Sequence, residues 1–385
     1  MSRPAFTFYE FFAGGGMARI GLGVRWRCAF ANDFDPVKAA AYRLNFTDAE
    51  HHLREADVWT LSAGDLPGQA DLAWASSPCQ DFSLAGARAG LGGGRSSAFF
   101  GFWRLMEALD DAGRAPGLVV IENVTGLLTS RGGADFTALG AALAARGYRF
   151  GALEIDASAF TPQSRPRIFV IAARSAPAEL CGDSPFHTRG IRAAQARLDP
   201  ATAAAWAWWR LPPPPGRNTR LEDLLLPDGE AVWRSTGATE QLTALMAPRH
   251  RARLAPGESR AIGAVFRRTR REAGRSVQRA EARFDGLAGC LRTPRGGSSR
   301  QSLLVVEPDG RLRSRLIAPR EAARLMGLPD DYRLPVAVTA ALHVVGDGVV
   351  APVVRWLAAE LLEPLAEAAR TDQARGATPS KISVI

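Results

Sequence analysis

Apolar and polar positions in residues 6–174 follow two alternating periodicities. Short apolar runs are typical of buried strands, whereas apolar residues that repeat every three to four positions are typical of helices. The predicted strands are Phe6–Phe12, Cys28–Asn32, Leu72–Ala75, Leu118–Ile121, Leu153–Ile155 and Ile168–Ala172. The predicted helices are Met17–Leu22, Pro36–Leu44, Phe99–Leu109 and Asp135–Arg146. This order predicts an α/β fold with a largely parallel sheet, whose ligands bind beyond the carboxyl ends of the strands.

The pattern changes after Ser175. Four consecutive prolines, Pro212–Pro215, exclude a helix or a central strand, and the tryptophans just before them are interpreted as packing groups. From Thr236 to Arg315, short apolar runs between arginines and glycines predict a small, irregular, β-containing unit. Helices are predicted at Pro319–Met326 and Ala351–Arg370, followed by a disordered polar tail at 371–385.

Length and composition indicate a soluble protein of two domains. The chain has 385 residues, of which 46% are hydrophobic and 23% charged. No apolar run approaches the roughly 20 residues of a membrane span, and the first residues lack the pattern of a signal peptide. Four dispersed cysteines without a CxxC pair argue against disulfides and a zinc site, so we expect no metal and a cytoplasmic location.

The positive charge is concentrated in one region. The net charge is +9, but residues 249–320 contain 18 arginines and six acids, which leaves the rest of the chain slightly acidic. A biased genome explains why arginine replaces lysine, yet it does not explain the clustering. Because a phosphate backbone requires local cationic excess, this region predicts a nucleic-acid partner.

A glycine turn follows the first predicted strand. The phosphate-binding pattern GxxxxGK[ST] is absent, and the dinucleotide pattern GxGxxG, counted from Gly14 and Gly16, has Arg19 where a small residue is required. The next strand leads into Asp33 and Phe34, an acid that can hold ribose hydroxyls and an aromatic ring that can stack on adenine. These features suit a nucleoside cofactor but also occur in ordinary folds.

Four candidate catalytic side chains lie near the ends of predicted strands. Cys79 follows Pro78 and precedes a glycine-rich stretch typical of a mobile lid, so it is either a buried apolar group or a nucleophile. Glu122 is either a structural acid or a proton donor. Arg165 and Arg167, two positions apart on an extended segment, are predicted to point to one side, where they can hold a carbonyl or a phosphate, unless they are surface ion-pair partners.

Taken in order, these motifs resemble those of the DNA (cytosine-5) methyltransferases, from about Tyr9 to Leu361. The matching segments are Phe12-Ala13-Gly14-Gly15-Gly16, Pro78-Cys79-Gln80, Glu122-Asn123-Val124, Gln163-x-Arg165-x-Arg167, residues 320–329 and Gly346-Asp347-Gly348-Val349-Val350. Two departures are Asp347, where the family often has Asn, and Ala98, where a hydrophobic loop residue usually closes over the cofactor.

The resemblance implies a Rossmann-like fold that uses S-adenosylmethionine. The implied cofactor-binding residues are Phe12, Gly14, Gly16, Asp33, Phe34, Asp57, Pro78, Asp347 and Val349. The Cys79 thiolate would add to carbon 6 of a flipped cytosine, Glu122 would contact N3 and the exocyclic amine, and Arg165 would hold O2. Gln80 and Arg167 are counted with this catalytic group.

The resemblance also implies two domains and a double-stranded DNA substrate. Residues 1–178 and 335–370 would form the catalytic domain, and 179–334 the target-recognition domain. The expected DNA-binding residues are Ser83, Arg95, Arg292, Thr293, Arg295, Gly296 and Gly297. A monomer suits the family, and a cognate restriction endonuclease as a further partner is left open.

Three alternatives are weighed against DNA methylation. A transfer-RNA cytosine methyltransferase would share the motifs, but the long basic segment and the absence of a Cys-Phe-Thr signature argue against it. The presence of Cys79, Glu122 and Arg165 argues against a catalytically silent DNA-binding relative. Arg19 argues against a nicotinamide-dependent oxidoreductase.

Overall fold

The computed structural model describes residues 5–77, 98–272, 274–292 and 300–376. The chain forms two compact units. The large-sheet unit comprises Met1–Ile155, Pro166–Pro214 and Val353–Ile385, and the small-sheet unit comprises Asp156–Arg165 and Pro215–Pro352. The domain bounds predicted from the sequence differ from these in three places within residues 1–370. Residues 156–165, predicted in the catalytic domain, belong to the small-sheet unit. Residues 179–214 pack with the large sheet, where Trp209 Nε1 donates to the carbonyl of Ile171 at 2.9 Å, and residues 335–352 belong to the small-sheet unit.

The large sheet has seven strands in the order β3-β2-β1-β4-β5-β7-β6. Their bounds are β1 Phe6–Phe11, β2 Trp26–Asp33, β3 Leu53–Glu55, β4 Leu72–Ala75, β5 Leu118–Val124, β6 Arg149–Asp156 and β7 Pro166–Ala173. The pairs β1–β2, β1–β4, β2–β3 and β4–β5 are parallel, whereas β7 runs antiparallel to β5. The predicted strands are therefore present, and β5 and β7 are long enough to contain Glu122 and Arg167.

Helices in both units begin where the sequence provides a start. Asp35, for example, caps α2 through its side chain, and Pro36 occupies the first helical position. The helices are α1 Met17–Leu22, α2 Pro36–Asn45, α3 Ala49–His52, α4 Ala98–Asp111, α5 Ala134–Ala145, α6 Arg189–Gln195, α7 Pro200–Ala204, α8 Thr236–Ala244, α9 Pro248–Arg251, α10 Pro319–Leu325, α11 Val338–Asp347, α12 Ala351–Leu357 and α13 Glu363–Gly376. In the large-sheet unit, apolar side chains of α4 and α5 pack with those of β1, β4 and β5 in one core.

The small sheet is antiparallel, with the order β11-β10-β8-β9. Its strands are β8 Ala261–Glu272, β9 Arg275–Arg283, β10 Ser302–Val306 and β11 Leu312–Leu316. Leu242 and Met246 pack on one face of this sheet, against residues that include Val265, Ala280 and Leu304. The segment predicted to be irregular therefore contains a regular sheet with its own small core.

The C-terminal helices end later than predicted. A π-helical segment, Ala358–Leu362, joins α12 to α13, which reaches Gly376, so residues 371–376 are helical and not a disordered tail. By length and composition, the stretch Val338–Asp372 could cross a membrane, but 56% of its most apolar window is buried. The stretch is also interrupted at Gly348, whose backbone is extended. It therefore has the character of core helices, which pass the same length and composition test.

Candidate active site

The glycine turn after β1 contains a strained, ligand-accessible backbone. Phe12 has a φ of 56°, which is uncommon for a residue with a side chain, and Gly14 and Gly16 have φ values of 57° and 78°. Among the described residues, a Cβ on Gly14 would meet no heavy atom within 4 Å, whereas a Cβ on Gly16 would lie 2.2 Å from the Phe46 ring. Gly16 therefore allows close packing, and Gly14 leaves open space beside the turn.

Asp33, at the end of β2, holds this turn in place. Its Oδ2 accepts a hydrogen bond from the Gly14 amide at 2.8 Å, and its Oδ1 accepts one from the Asp35 amide at 2.9 Å. Burial raises the pKa of Asp33. A carboxylate has about four acceptor positions, so Asp33 keeps capacity for a ribose hydroxyl. The neighbouring Phe34 side chain is 66% exposed and offers a ring face for stacking.

Asp57 caps a short 3-10 turn, and its Oδ1 accepts a hydrogen bond from the Trp59 amide at 3.0 Å. The residue is exposed on the large-sheet unit. Of the expected cofactor residues in this unit, the structure ties Asp33 directly to the turn and places Asp57 beyond the neighbouring strand β3, which pairs with β2.

A buried polar cluster behind the turn was not foreseen from the sequence. Glu10 is 1% exposed, and burial raises its pKa to about 8, the charge of Arg19 opposing this in part. Its Oε2 has no hydrogen-bond partner among the described residues. The Arg19 guanidinium binds Asp48 at 2.7 Å and Tyr42 Oη at 3.2 Å. Arg19, which stands where the dinucleotide pattern requires a small residue, therefore has polar partners of its own. The apolar run of β1 in the sequence indicates that position 10 is buried. It does not indicate that burial favours the protonated form of Glu10.

Glu122 and Arg167 form a buried ion pair on adjacent strands. Arg167 Nε lies 3.1 Å from Glu122 Oε1, and both side chains are largely shielded from water. The next residue, Asn123, donates through Nδ2 to the carbonyl of Ser77 at 3.0 Å and to Ser77 Oγ at 3.2 Å. The carboxylate of Glu122 is thus held by a cation on one strand, while its neighbour fixes the segment that follows β4.

Arg165 has different partners from Arg167 and belongs to the small-sheet unit. It is 2% exposed, and its Nη1 donates to the carbonyl of Leu291 at 3.0 Å, while Nη2 donates to the carbonyls of Gly346 and Gly348 at 3.0 and 2.7 Å. The two arginines, expected to point to one side of the segment, therefore have different partners. Arg165 precedes β7 and binds backbone carbonyls, whereas Arg167 lies within β7 and binds a carboxylate.

The last motif is also in the small-sheet unit. Asp347 lies 3.3 Å from His343 Nε2, one turn earlier on α11, and Val349 is 4% exposed. Since Arg165 binds the carbonyls on either side of Asp347, the backbone of this motif is fixed by that guanidinium. The Asp that replaces the family's usual Asn has a histidine partner.

Several expected site residues lie outside the described residues. They are Pro78, Cys79, Gln80, Ser83, Arg95, Thr293, Arg295, Gly296 and Gly297. Arg292, at the edge of the described part, is exposed. Among the described cysteines, burial raises the pKa of Cys28 to about 12 and raises that of Cys181, so neither thiol is suited to act as a thiolate at neutral pH.

The sheet order, together with the glycine turn that Asp33 holds at the end of β1, defines a Rossmann-like α/β fold. A family model described as C-5 cytosine-specific DNA methylase matches residues 6–363. M.NlaX, a Type II methyltransferase of Neisseria lactamica, is 26% identical over 370 residues, which cover 92% of this chain and 96% of that relative. The Type II methyltransferase M.BsuFI of Bacillus subtilis is 32% identical over 167 residues, 43% of this chain and 38% of the relative.

Among solved structures, the Dnmt2 methyltransferase of S. pombe superposes with a TM-score of 0.60 at 17% identity, over 94% of this chain and 99% of that chain. That likeness concerns the fold. The family match spans most of the chain, so the protein belongs to the C-5 cytosine-specific DNA methylases. It is a methyltransferase that acts on carbon 5 of cytosine in DNA and requires a methyl donor.

Proposed function

We propose that the protein methylates cytosine within a specific double-stranded DNA sequence, using S-adenosylmethionine and a covalent Cys79 adduct on a flipped base. The observation that carries this proposal is the strand register. Phe11 of β1, Ala75 of β4 and Ile121 of β5 lie in one row across the sheet, so the glycine turn, the Ser77 segment and Glu122 follow at the same edge. Ser77 is anchored beside Glu122 and precedes Cys79 by two residues, which span at most about 7 Å of chain.

The chemistry that suits this edge begins with the Cys79 thiolate, which forms a bond to carbon 6 of cytosine and pushes the electron pair of the ring double bond to carbon 5. Carbon 5 would then take the methyl group from the sulfonium of the donor, which would leave as a neutral thioether. Loss of the carbon 5 proton to water would return the electron pair of that C–H bond to the ring double bond and expel the thiolate. Glu122 would hold N3 and the exocyclic amine, so that charge developing on the ring is stabilised as the adduct forms.

Arg167 is the better candidate for the O2 carbonyl. Its guanidinium lies beside Glu122, so a ring whose N3 faces Glu122 presents O2 on the neighbouring side. The guanidinium of Arg165, which the motif alone favours for this contact, donates to three backbone carbonyls. We therefore assign Arg165 to positioning the last motif and Arg167 to the base.

The residues around the glycine turn fit S-adenosylmethionine, which supplies an electrophilic methyl group. The space beside Gly14 admits a ligand close to the backbone, Asp33 can accept from the ribose, and Phe34 can stack on adenine. Asp57 lies on an exposed turn, where its carboxylate can accept a hydrogen bond from the adenine amino group. Phe12, Gly16, Pro78, Asp347 and Val349 complete the proposed cofactor set.

For the substrate, we propose that the large-sheet unit performs the reaction and that the small-sheet unit recognises DNA. Ser83, Arg95, Arg292, Thr293, Arg295, Gly296 and Gly297 remain the candidate contacts. Arginine reads guanine well in the major groove, so exposed Arg292 is a candidate for base recognition. The Type II designation of M.NlaX and M.BsuFI supports a restriction endonuclease partner, and we expect a monomer acting in a bacterial cytoplasm.

The test is base-resolution methylcytosine sequencing of DNA from cells that express the protein or its Cys79→Ser variant. We expect one enriched sequence motif, absent from the variant, together with DNA binding retained by the variant in a gel-shift assay. Methylation by Cys79→Ser at the normal rate would exclude the covalent mechanism. A wild-type protein that methylates no DNA, only RNA, would exclude the DNA substrate.

A further inference from the structure

Residues 288–291 lie between β9 and β10, outside any helix or strand, yet the small-sheet unit holds them along their length. The amide of Ala288 donates to the carbonyl of Pro162 at 2.8 Å, and the carbonyl of Ala288 accepts from the amide of Ser164 at 2.9 Å. The segment therefore begins on a short parallel bridge between Gln163 and Ala288, and its backbone position is set there.

The same segment is tied to the chain that begins β10. The amide of Gly289 donates to Oε1 of Gln301 at 2.8 Å, and this glutamine, which is buried, directly precedes the strand. A Cβ on Gly289 would lie 1.9 Å from the ring of Phe266, so only glycine allows the backbone to pass this close to β8. A hydrogen bond thus joins the chain before Arg292 to the chain that begins β10.

Gln163 holds the end of the segment from inside the unit. Its side chain is fully buried; Oε1 accepts from the amide of Leu291 at 3.2 Å, and Nε2 donates to the carbonyl of Leu325, the last residue of α10, at 2.9 Å. Because the amide oxygen only accepts and the amide nitrogen only donates, these two partners fix the orientation of the group. Arg165 donates to the carbonyl of Leu291 at 3.0 Å, so both backbone groups of Leu291 are bound by side chains of one short segment.

We propose that Gln163 is a positioning residue for base recognition, because it fixes the point from which Arg292 extends. Arg292 follows Leu291 directly and is exposed. The proposal rests on the proposed function, in which Arg292 is the candidate for reading guanine. A recognition side chain must be held within about 0.5 Å of its productive geometry, and irregular backbone gives that precision only when other groups lock it. Gln163 would not touch DNA; it would reduce the ordering that binding has to supply.

Two affinities separate this role from a general contribution to folding. Fluorescence anisotropy measures the binding of each variant to a target duplex, defined by the motif that the wild type methylates, and to a scrambled duplex of equal length. Gln163→Met removes both side-chain hydrogen bonds with little change in volume. Thr239→Val is the matched control, because it removes a buried hydrogen bond of the same unit, between Thr239 Oγ1 and Ser314 Oγ at 2.9 Å, outside residues 288–291.

We expect Gln163→Met to bind the target duplex about tenfold more weakly, as when the binding-competent conformation falls to about a tenth of the population. Affinity for the scrambled duplex should change by less than about twofold, since it depends on the charge of the protein, which this variant keeps. Thr239→Val should leave both affinities unchanged. Gln301→Met, which removes the acceptor of the Gly289 amide, should show the same selective loss and replaces Gln163→Met if that variant does not fold.

A double-mutant cycle with Arg292→Gln tests whether Gln163 acts through Arg292. The double variant should bind the target within about twofold of Arg292→Gln alone, because residues that act as one unit are not additive. Fully additive losses, an equal loss on the target and scrambled duplexes, or wild-type target affinity in a folded Gln163→Met variant would overturn the proposal.

The two proposals fail in different ways. If the wild-type protein methylates a DNA motif but Gln163→Met keeps its discrimination between the two duplexes, only the positioning role is excluded. If the wild-type protein transfers no methyl group to DNA, the proposed function fails and the positioning role fails with it. Thermal unfolding of each variant establishes that a change in binding does not arise from loss of the fold.

Discussion

The large and small sheets differ in where their charged groups lie. In the large sheet, the charged groups closest to the proposed site are shielded from water, as in the Glu122–Arg167 pair and the buried carboxyl of Glu10. The small sheet carries many arginines at its surface, of which Arg268, Arg270 and Arg279 pair with acids on the β8–β9 hairpin and Arg313 pairs with Asp228 and Glu307. Chemistry on a base requires a charge fixed at one place and shielded from water, whereas holding a long polyanion requires accessible charges.

The sharpest test of this contrast is Arg167→Gln. If the buried cation acts on the base, its loss should reduce kcat by about 10² to 10³, with a much smaller change in DNA affinity. Single-turnover methyl transfer and anisotropy on the same preparation measure the two quantities. Arg270→Gln, an arginine of the small sheet, should keep the wild-type kcat. An active Arg167→Gln variant would mean that the ion pair serves stability alone.

Arg165→Gln should have a different outcome, because this guanidinium binds backbone carbonyls within the small-sheet unit. We expect a loss of about 2–3 kcal/mol in the free energy of unfolding, since several buried charge-assisted hydrogen bonds disappear. Urea denaturation measures it. Arg320→Gln, which removes a more exposed arginine bonded to the carbonyls of Pro329 and Tyr332, should cost less. Normal stability combined with lost activity would return Arg165 to the base-binding role.

The smallest effect concerns Glu10, whose pKa is raised to about 8 by burial. Between its ordinary pKa and that value, the folded protein keeps a proton that the unfolded chain releases, so stability falls as pH rises. His52 and His187 have lowered pKa values and titrate below about pH 6.5, whereas burial also raises the pKa of Asp33. The difference in pH dependence between the wild type and Glu10→Gln therefore isolates the Glu10 carboxyl group. Glu10→Gln should make the decline shallower by at most about 2 kcal/mol between about pH 6.5 and 8.

Thermal unfolding at several pH values measures this effect. The exposed carboxylate of Glu240 provides the control, because Glu240→Gln should leave the pH dependence as it is in the wild type. Identical pH slopes for wild type and Glu10→Gln would show that Glu10 is ionised in the folded protein. In that case the Glu122–Arg167 pair would remain a shielded charged group of the large sheet, but Glu10 would not be a protonated one.

The sequence predicted most of the large sheet because strands such as β1, β4 and β5 are buried on both faces and therefore read as apolar runs, whereas the short β3, with two exposed residues, was not predicted. Leu72–Ala75 and Met17–Leu22 have the predicted bounds. Periodicity was less informative in the small-sheet unit, where β8 and β9 are half exposed and interrupted by arginines. A regular antiparallel sheet was consequently predicted as an irregular unit, and the predicted domain bounds differ from the bounds of the compact units at residues 156–165, 179–214 and 335–352.

The sequence by itself determined the family, the order of the motifs and the region of excess positive charge, because these depend on residue identity and on local periodicity. Only the tertiary structure decided which partners each charged group has. Arg165 and Arg167 are two residues apart, yet one binds carbonyls distant in sequence and the other a carboxylate on the next strand. Likewise, Arg234 reaches the hydroxyl groups of Ser302 and Ser314 only because folding brings distant segments together, which no local pattern encodes.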